Sequence, residues 1–343
     1  MRISVAIAWA MVAAVVVAAA PAAPAWTPLT SGVSARLRGI SAISATVAWA
    51  SGAHGTILRT IDGGATWERR PIDGTGALDF RDIDALSADV AYALSIGPGP
   101  ASRIYKTTDG GASWRLQFTN DDSKAFFDAM AFWDARRGVA ASDSVDGHFV
   151  IVLTRDGGDT WARVPDTALP PALPNEGAFA ASGTNVSVRP PNDVWIGTGA
   201  ASTARVLHSR DGGRTWTIAA TPLAAGESAG IFSIAFRDAT HGIVVGGDYR
   251  QETAALKNAA VTSDGGATWR LVPGLSGFRS VVAYAGGTTA LAAGPSGVDR
   301  SDDDGGTWRH VSDDGFDTLS IAPGTSTGFA SGDGGRIARY ARR

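Results

Sequence analysis

Short apolar segments recur along the chain in a fixed order, separated by polar turns rich in glycine. First comes an alternating segment, such as Gly39-Ile40-Ser41-Ala42-Ile43 or Ser280-Val281-Val282-Ala283-Tyr284. Next is an apolar segment ending in a small residue: Ala48-Trp49-Ala50-Ser51-Gly52, Tyr92-Ala93-Leu94-Ser95, Val194-Trp195-Ile196-Gly197, Ile243-Val244-Val245-Gly246. A third segment follows: Thr56-Ile57-Leu58-Arg59, Arg103-Ile104-Tyr105-Lys106, Val150-Ile151-Val152-Leu153, Arg205-Val206-Leu207-His208. The fourth opens at a tryptophan. Segments this short, bounded by turn formers, read as β-strands. Four strands per unit of about 40–50 residues predict the blades of a propeller.

The turn between third and fourth segments is the strongest repeat. Thr60-Ile61-Asp62-Gly63-Gly64-Ala65-Thr66-Trp67 recurs at residues 107–114, 154–161, 209–216, 262–269 and 301–308. All six fit Ser/Thr-x-Asp-x-Gly-x-Ser/Thr-Trp. An aspartate in such a turn accepts hydrogen bonds from backbone N–H groups of its own loop. The glycine supplies a positive φ. The tryptophan packs a large ring against the neighbouring sheet. Asp62, Asp109, Asp156, Asp211, Asp264 and Asp303 therefore read as structural rather than catalytic or calcium-binding. The motif tryptophans Trp67, Trp114, Trp161, Trp216, Trp269 and Trp308 stand 47, 47, 55, 53 and 39 residues apart.

The count closes at seven. Three further strands are expected at residues 317–321, 328–331 and 336–340, with no fourth after them. Trp26-Thr27-Pro28-Leu29 resembles the segments opened by Trp67 and Trp269, so the N-terminal strand is expected to complete the last blade and remove its open edge. The predicted fold is all-β: one seven-bladed propeller spanning residues 26–343.

Composition narrows the function. Among 343 residues there is no cysteine, which excludes thiolate nucleophiles, thiolate metal sites and disulfides. The 30 Lys+Arg against 33 Asp+Glu, for a net charge of −3, give no basic field for nucleic acid. Arg2, the uncharged apolar run of residues 3–20, and Ala23-Pro24-Ala25 have the form of a secretory signal peptide, residues 1–25. The mature chain is expected to be periplasmic or secreted, without a membrane span, and a monomer.

The longer pattern Ser51-Gly52-Ala53-His54-Gly55-Thr56-Ile57-Leu58-Arg59, leading into the first turn, resembles the photosystem II stability/assembly factor family. The turn itself resembles the Asp-box, or bacterial neuraminidase repeat. The resemblance covers residues 26–343. It implies a lumenal or secreted, non-enzymatic seven-bladed propeller that binds a partner protein during assembly. The photosynthetic role does not follow, because bacterial relatives occur without photosystems.

Loops of variable length mark the working face of such a fold. Residues 165–182, 248–258 and 97–100 are the long or proline-rich connections, and all are expected on the face opposite the repeated turns. Arg38, Arg81 and Arg279 stand where innermost strands begin on that face, with Phe127 near a fourth start. Converging there, they would form a cationic ring for carboxylates or an acidic partner segment, unless paired with Asp82, Asp84, Asp128 or Asp317. Tyr249 and Arg250 join them from a long loop. The column Arg59, Lys106, His208, Arg300 and Arg339, one residue before each turn, reads as exposed strand positions. The alternative function is a glycan-binding or glycoside-hydrolase propeller. Asp79, Asp128, Asp193 and Asp248 are candidate carboxylates for it, but nothing selects two of them. Arg-Ile-Pro, expected near the start of a sialidase, is absent; Phe80-Arg81-Asp82-Ile83 is the nearest segment. The five histidines show no metal spacing, and neither metal nor cofactor is expected.

Overall fold

The structure is a computed structural model and describes residues 25–341. The apolar run of residues 3–20 and the expected cleavage segment up to Pro24 lie outside these residues. Among the described residues, seven four-stranded antiparallel sheets form a ring of blades. Blades I to VI cover residues 37–69, 79–119, 127–163, 186–220, 229–272 and 281–312 in order. Blade VII takes three strands from residues 318–341 and its outermost from Ala25–Leu29. That strand pairs antiparallel with Ile337–Ala341, Trp26 opposite Tyr340 and Leu29 opposite Ile337. Trp26 packs its ring 5.0 Å from Phe316 and 5.2 Å from Tyr340. The propeller is thus closed by its N-terminal strand, as expected. No helix among the described residues is long and apolar enough to cross a membrane.

Burial explains why the sheets stand in a ring. Seven apolar clusters each join two neighbouring blades. Between blades I and II, for example, Trp49 and Ile57 pack against Phe80, Ile83 and Tyr105. Inner strands are also stitched by side chains. Ser41 Oγ accepts the Ala85 N–H, Asp82 and Asp84 accept those of Met130 and Phe132, Ser233 accepts that of Val282, and Ser320 that of Ala42. Each bond crosses a blade boundary and satisfies a backbone donor that an inner strand would otherwise leave unpaired.

In the first repeated turn, Thr60 Oγ1 accepts the Gly64 N–H at 2.9 Å. Asp62 Oδ1 accepts the Thr66 N–H at 2.9 Å, and Oδ2 accepts the Thr66 hydroxyl at 2.6 Å. The other five aspartates make the same bonds. The glycine two residues on has φ between +76° and +91° in every copy, a region an L side chain avoids. The Ser/Thr hydroxyl four residues on, then its backbone N–H, pull Asp62, Asp109, Asp156 and Asp264 down to about 2.

Two expectations are corrected here. The motif tryptophan does not open the outer strand, which begins one residue later, at Glu68 and Arg115 in blades I and II. Its ring still packs on the neighbouring sheet: Trp114 stands edge-on to Trp49 of blade I, and its Nε1 donates to the Arg70 carbonyl. Nor is the column before the turns merely exposed polar surface. Lys106 Nζ donates to the Gly157 carbonyl at 2.7 Å, Arg59 to that of Ala88 and Arg339 to that of Ala45, each in the adjoining blade.

Candidate functional site

The channel between the inner strands is plugged by the chain itself. Residues 177–184, the end of the long connection from blade III to blade IV, contact six of the seven blades. Gly177 exchanges backbone hydrogen bonds with Gly199 of blade IV, and the Ala178 N–H donates to Asp143 of blade III. The Ala180 carbonyl accepts from Arg81 of blade II at 3.0 Å. Ser182 bonds Ser280 of blade VI and Thr318 of blade VII, and Thr184 bonds Ser233 of blade V. Only a segment on the axis can reach all of them.

Above this plug, on the face opposite the repeated turns, lies a cavity of about 390 Å³. Phe179, Ala180 and Ala181 of the plug form part of its lining. Arg36, Arg38, Arg81 and Asp317, from blades VII, I and II, supply a charged wall; Phe232, Tyr249, Phe278 and Glu252 come from blades V and VI. The aromatic wall is pre-packed. Phe179 stacks on Phe232 at 4.0 Å and 6°, Tyr249 stands edge-on to both, and Phe278 meets Phe232 edge-on at 4.6 Å.

The cations differ in their commitments. Arg36 forks Asp317 with two bonds of 2.7 Å, which raises its pKa. Arg81 donates to Asp79 at 2.8 Å and to the plug. Arg38 makes no hydrogen bond or ion pair through its guanidinium with any described residue. Burial, and then repulsion by Arg81, pull it down to about 10. An arginine so placed is a desolvated cation with unused donors, and an anion entering the cavity would relieve it.

Arg38, Arg81 and Tyr249 are brought together in the cavity. Three other expected positions are not. Arg279 is fully buried, and its Nε donates to Asp299 at 2.8 Å. Ser276, Ser296 and the Phe278 carbonyl take its other donors. The reason is register. Inner strands of blades I, II, III and V carry a shift at Leu37/Gly39, Phe80/Asp82, Phe127/Ala129 and Ile231/Ser233. The extra residue at each shift is Arg38, Arg81, Asp128 or Phe232. In blade VI Arg279 stands one place earlier, where Leu37 stands in blade I: their N–H groups donate to the Gly246 and Gly332 carbonyls of the preceding blades, so Arg279 turns into its own blade and Ser280 takes the place that lines the cavity. Phe127 is likewise buried, edge-on to Phe118 within the cluster between blades II and III. Arg250 lies outside the cavity lining, paired with Glu227 and leaning over Tyr249.

Of the candidate carboxylates, Asp79 holds Arg81, Asp193 holds His208 at 3.0 Å, and Asp248 caps its own loop at the Arg250 N–H. Asp128 is buried beside Asp143, and burial raises both. Asp82 and Asp84 stitch blades and do not pair with Arg38 or Arg81. Sequence reasoning missed Arg36, Phe179, Phe232 and Phe278. The only signal for Phe179 was the length of the connection that carries it.

No protein-family model matches the chain, and no curated protein sequence aligns with it. Solved structures do resemble it. YCF48 bound to D1 peptide superposes with a TM-score of 0.65 at 18% identity, over 94% of this chain and 100% of that one. YCF48 from Cyanidioschyzon merolae gives 0.64 at 22%, over 93% and 99%. The likeness is one of fold. The WD40 propeller domain of Doa1 shares it to nearly the same degree, with 0.63 at 12% identity over 93% and 98%.

Proposed function

We propose that the chain is a non-catalytic, extracytoplasmic binding propeller of the assembly-factor kind, which holds a segment of a partner protein at the plugged channel mouth. The observation that carries this reading is Arg38, an unpaired and partly desolvated cation beside Arg81, facing an aromatic wall across one cavity. Such walls suit a peptide that presents a carboxylate next to an aromatic or apolar side chain. The solved YCF48 complex, a propeller of like fold, carries a D1 peptide and supports the same kind of ligand here. The N-terminal apolar run with its small-residue cleavage site supports the location. In the cavity Asp317 is committed to Arg36, which leaves Glu252 without a second free carboxylate for glycoside hydrolysis.

The test is selection of a displayed peptide library on the mature protein, repeated with Arg38→Gln/Arg81→Gln. Enrichment of peptides pairing an acidic with an aromatic residue, lost in the variant, is the expected result. Peptides retained equally by the variant would remove the site. No enrichment, together with capture or turnover of a glycan, would remove the function.

A further inference from the structure

The repeated turn has free positions, where the side chain makes none of the turn's bonds. The residue before each aspartate is Ile61, Thr108, Arg155, Arg210, Ser263 or Asp302; the residue three after it is Ala65, Ala112, Asp159, Arg214, Ala267 or Gly306. Arginine occurs at these positions only in the adjacent turns of blades III and IV. There Arg155, Arg210 and Arg214 meet Arg137, from the tip between the first two strands of blade III. All four line one cleft of about 180 Å³, with Trp133 and Asn192.

The cleft is built and keeps an excess of positive charge. Arg137 is fixed by Asp134 at 2.8 Å and by Asn192 Oδ1 at 2.9 Å. The guanidinium groups of Arg155, Arg210 and Arg214 make no hydrogen bond or ion pair with any described residue. The one acid in the lining is Asp211, whose oxygens accept from the Ser209 and Thr215 hydroxyls and from the Arg214 and Thr215 N–H groups. Nothing in the turn requires arginine at these places, since other copies use alanine, serine or threonine. Three unpaired forks around a cavity this small match the several oxygens of a tetrahedral anion better than the two of a planar carboxylate.

We propose that this cleft is a second binding site, for a phosphate or sulfate group, free or carried as an ester. It lies on the face of the repeated turns, opposite the channel mouth, so it is independent of the partner cavity.

Isothermal titration at low ionic strength with sodium phosphate and with sodium sulfate tests it, since salt screens exposed charges. The chain carries Arg38→Gln/Arg81→Gln, so that the cavity contributes no binding. One saturable site is expected. Adding Arg210→Gln/Arg214→Gln is expected to weaken it at least about tenfold, because each lost charged hydrogen bond is worth that much. These two side chains are exposed and unbonded, and an unchanged thermal midpoint will show that the fold survives. Phenyl phosphate binding as tightly as phosphate identifies an ester ligand; preference for the inorganic ion identifies a free one. Absence of saturation, binding indifferent to Arg210→Gln/Arg214→Gln, or equally strong competition by acetate would each overturn the proposal.

Discussion

Arg38 and Arg279 both stand at the start of an inner strand, and the fold gives them opposite fates. Arg38 is the extra residue of its strand and faces the cavity; Arg279 stands one place earlier, in register with Leu37, and turns into the blade against Asp299. Arg279→Ala strips the buried Asp299 carboxylate of its arginine and leaves it only Ser276 and His310, which costs about 3–5 kcal/mol. Arg38→Gln removes a cation that burial and Arg81 already disfavour. Guanidinium denaturation is expected to show a large loss for the first and none for the second, with peptide capture lost only in the second. Equal midpoints would contradict the register difference. Neither fate was legible in the sequence, because both depend on register against the next strand, which leaves no local signature at either arginine. The titrating aspartates make a second prediction. Burial raises Asp84 to about 7 and Asp143 to about 6, so the folded state holds protons that the unfolded chain releases near pH 4. Their contribution is full below the unfolded pKa and is lost as pH rises through 6 to 7. The turn aspartates, lowered to about 2, act oppositely and lose their contribution only in stronger acid. Stability should therefore fall between about pH 4 and 7. Asp84→Asn, whose amide oxygen still accepts the Phe132 N–H, should flatten that fall when denaturation midpoints are compared across pH. An unchanged slope would show Asp84 to be ionised throughout.

At the scale of elements the sequence was far more explicit. Each turn closes its own hydrogen bonds within eight residues, so its form is written locally and its six copies set the register of the strands on either side. Even the irregular copy obeys: Asp304 replaces the first glycine at φ +60° and is forked by Arg237 of the preceding blade. The N-terminal strand was legible for the same reason, since Trp26 repeats the tryptophan that precedes the other outer strands. Its burial against Phe316 and Tyr340 makes the closing strand an energetic element as well as a topological one. Trp26→Ala is expected to cost about 2–3 kcal/mol, less than a fully buried tryptophan because the ring is only half-buried. The thermal midpoint should fall with it. A midpoint at the parent's value would mean that the ring stays closed without this contact.

At the scale of the whole molecule, the ring is held twice, by seven inter-blade clusters around it and by the plug through its centre. The plug escaped sequence reading because nothing in Gly177-Ala178-Phe179-Ala180-Ala181-Ser182 distinguishes an axial segment from a surface loop. Its position follows from six separate contacts, none of them local. If the plug is a permanent part of the fold, it must act on stability and binding together. Phe179 stacks on Phe232 below the cavity, while Ser182 joins blades VI and VII. Phe179→Ala/Ser182→Ala leaves Arg36, Arg38 and Arg81 in place, so any loss of peptide capture comes from the floor and the aromatic wall. The expected result is a single cooperative unfolding transition shifted down by about 3 kcal/mol, from the lost ring and the two lost hydrogen bonds of the Ser182 hydroxyl to Ser280 and Thr184. Peptide affinity should fall at least about tenfold. Full capture at a lowered midpoint would make the plug a structural axle only. An unchanged midpoint would mean that the blades hold their ring without it.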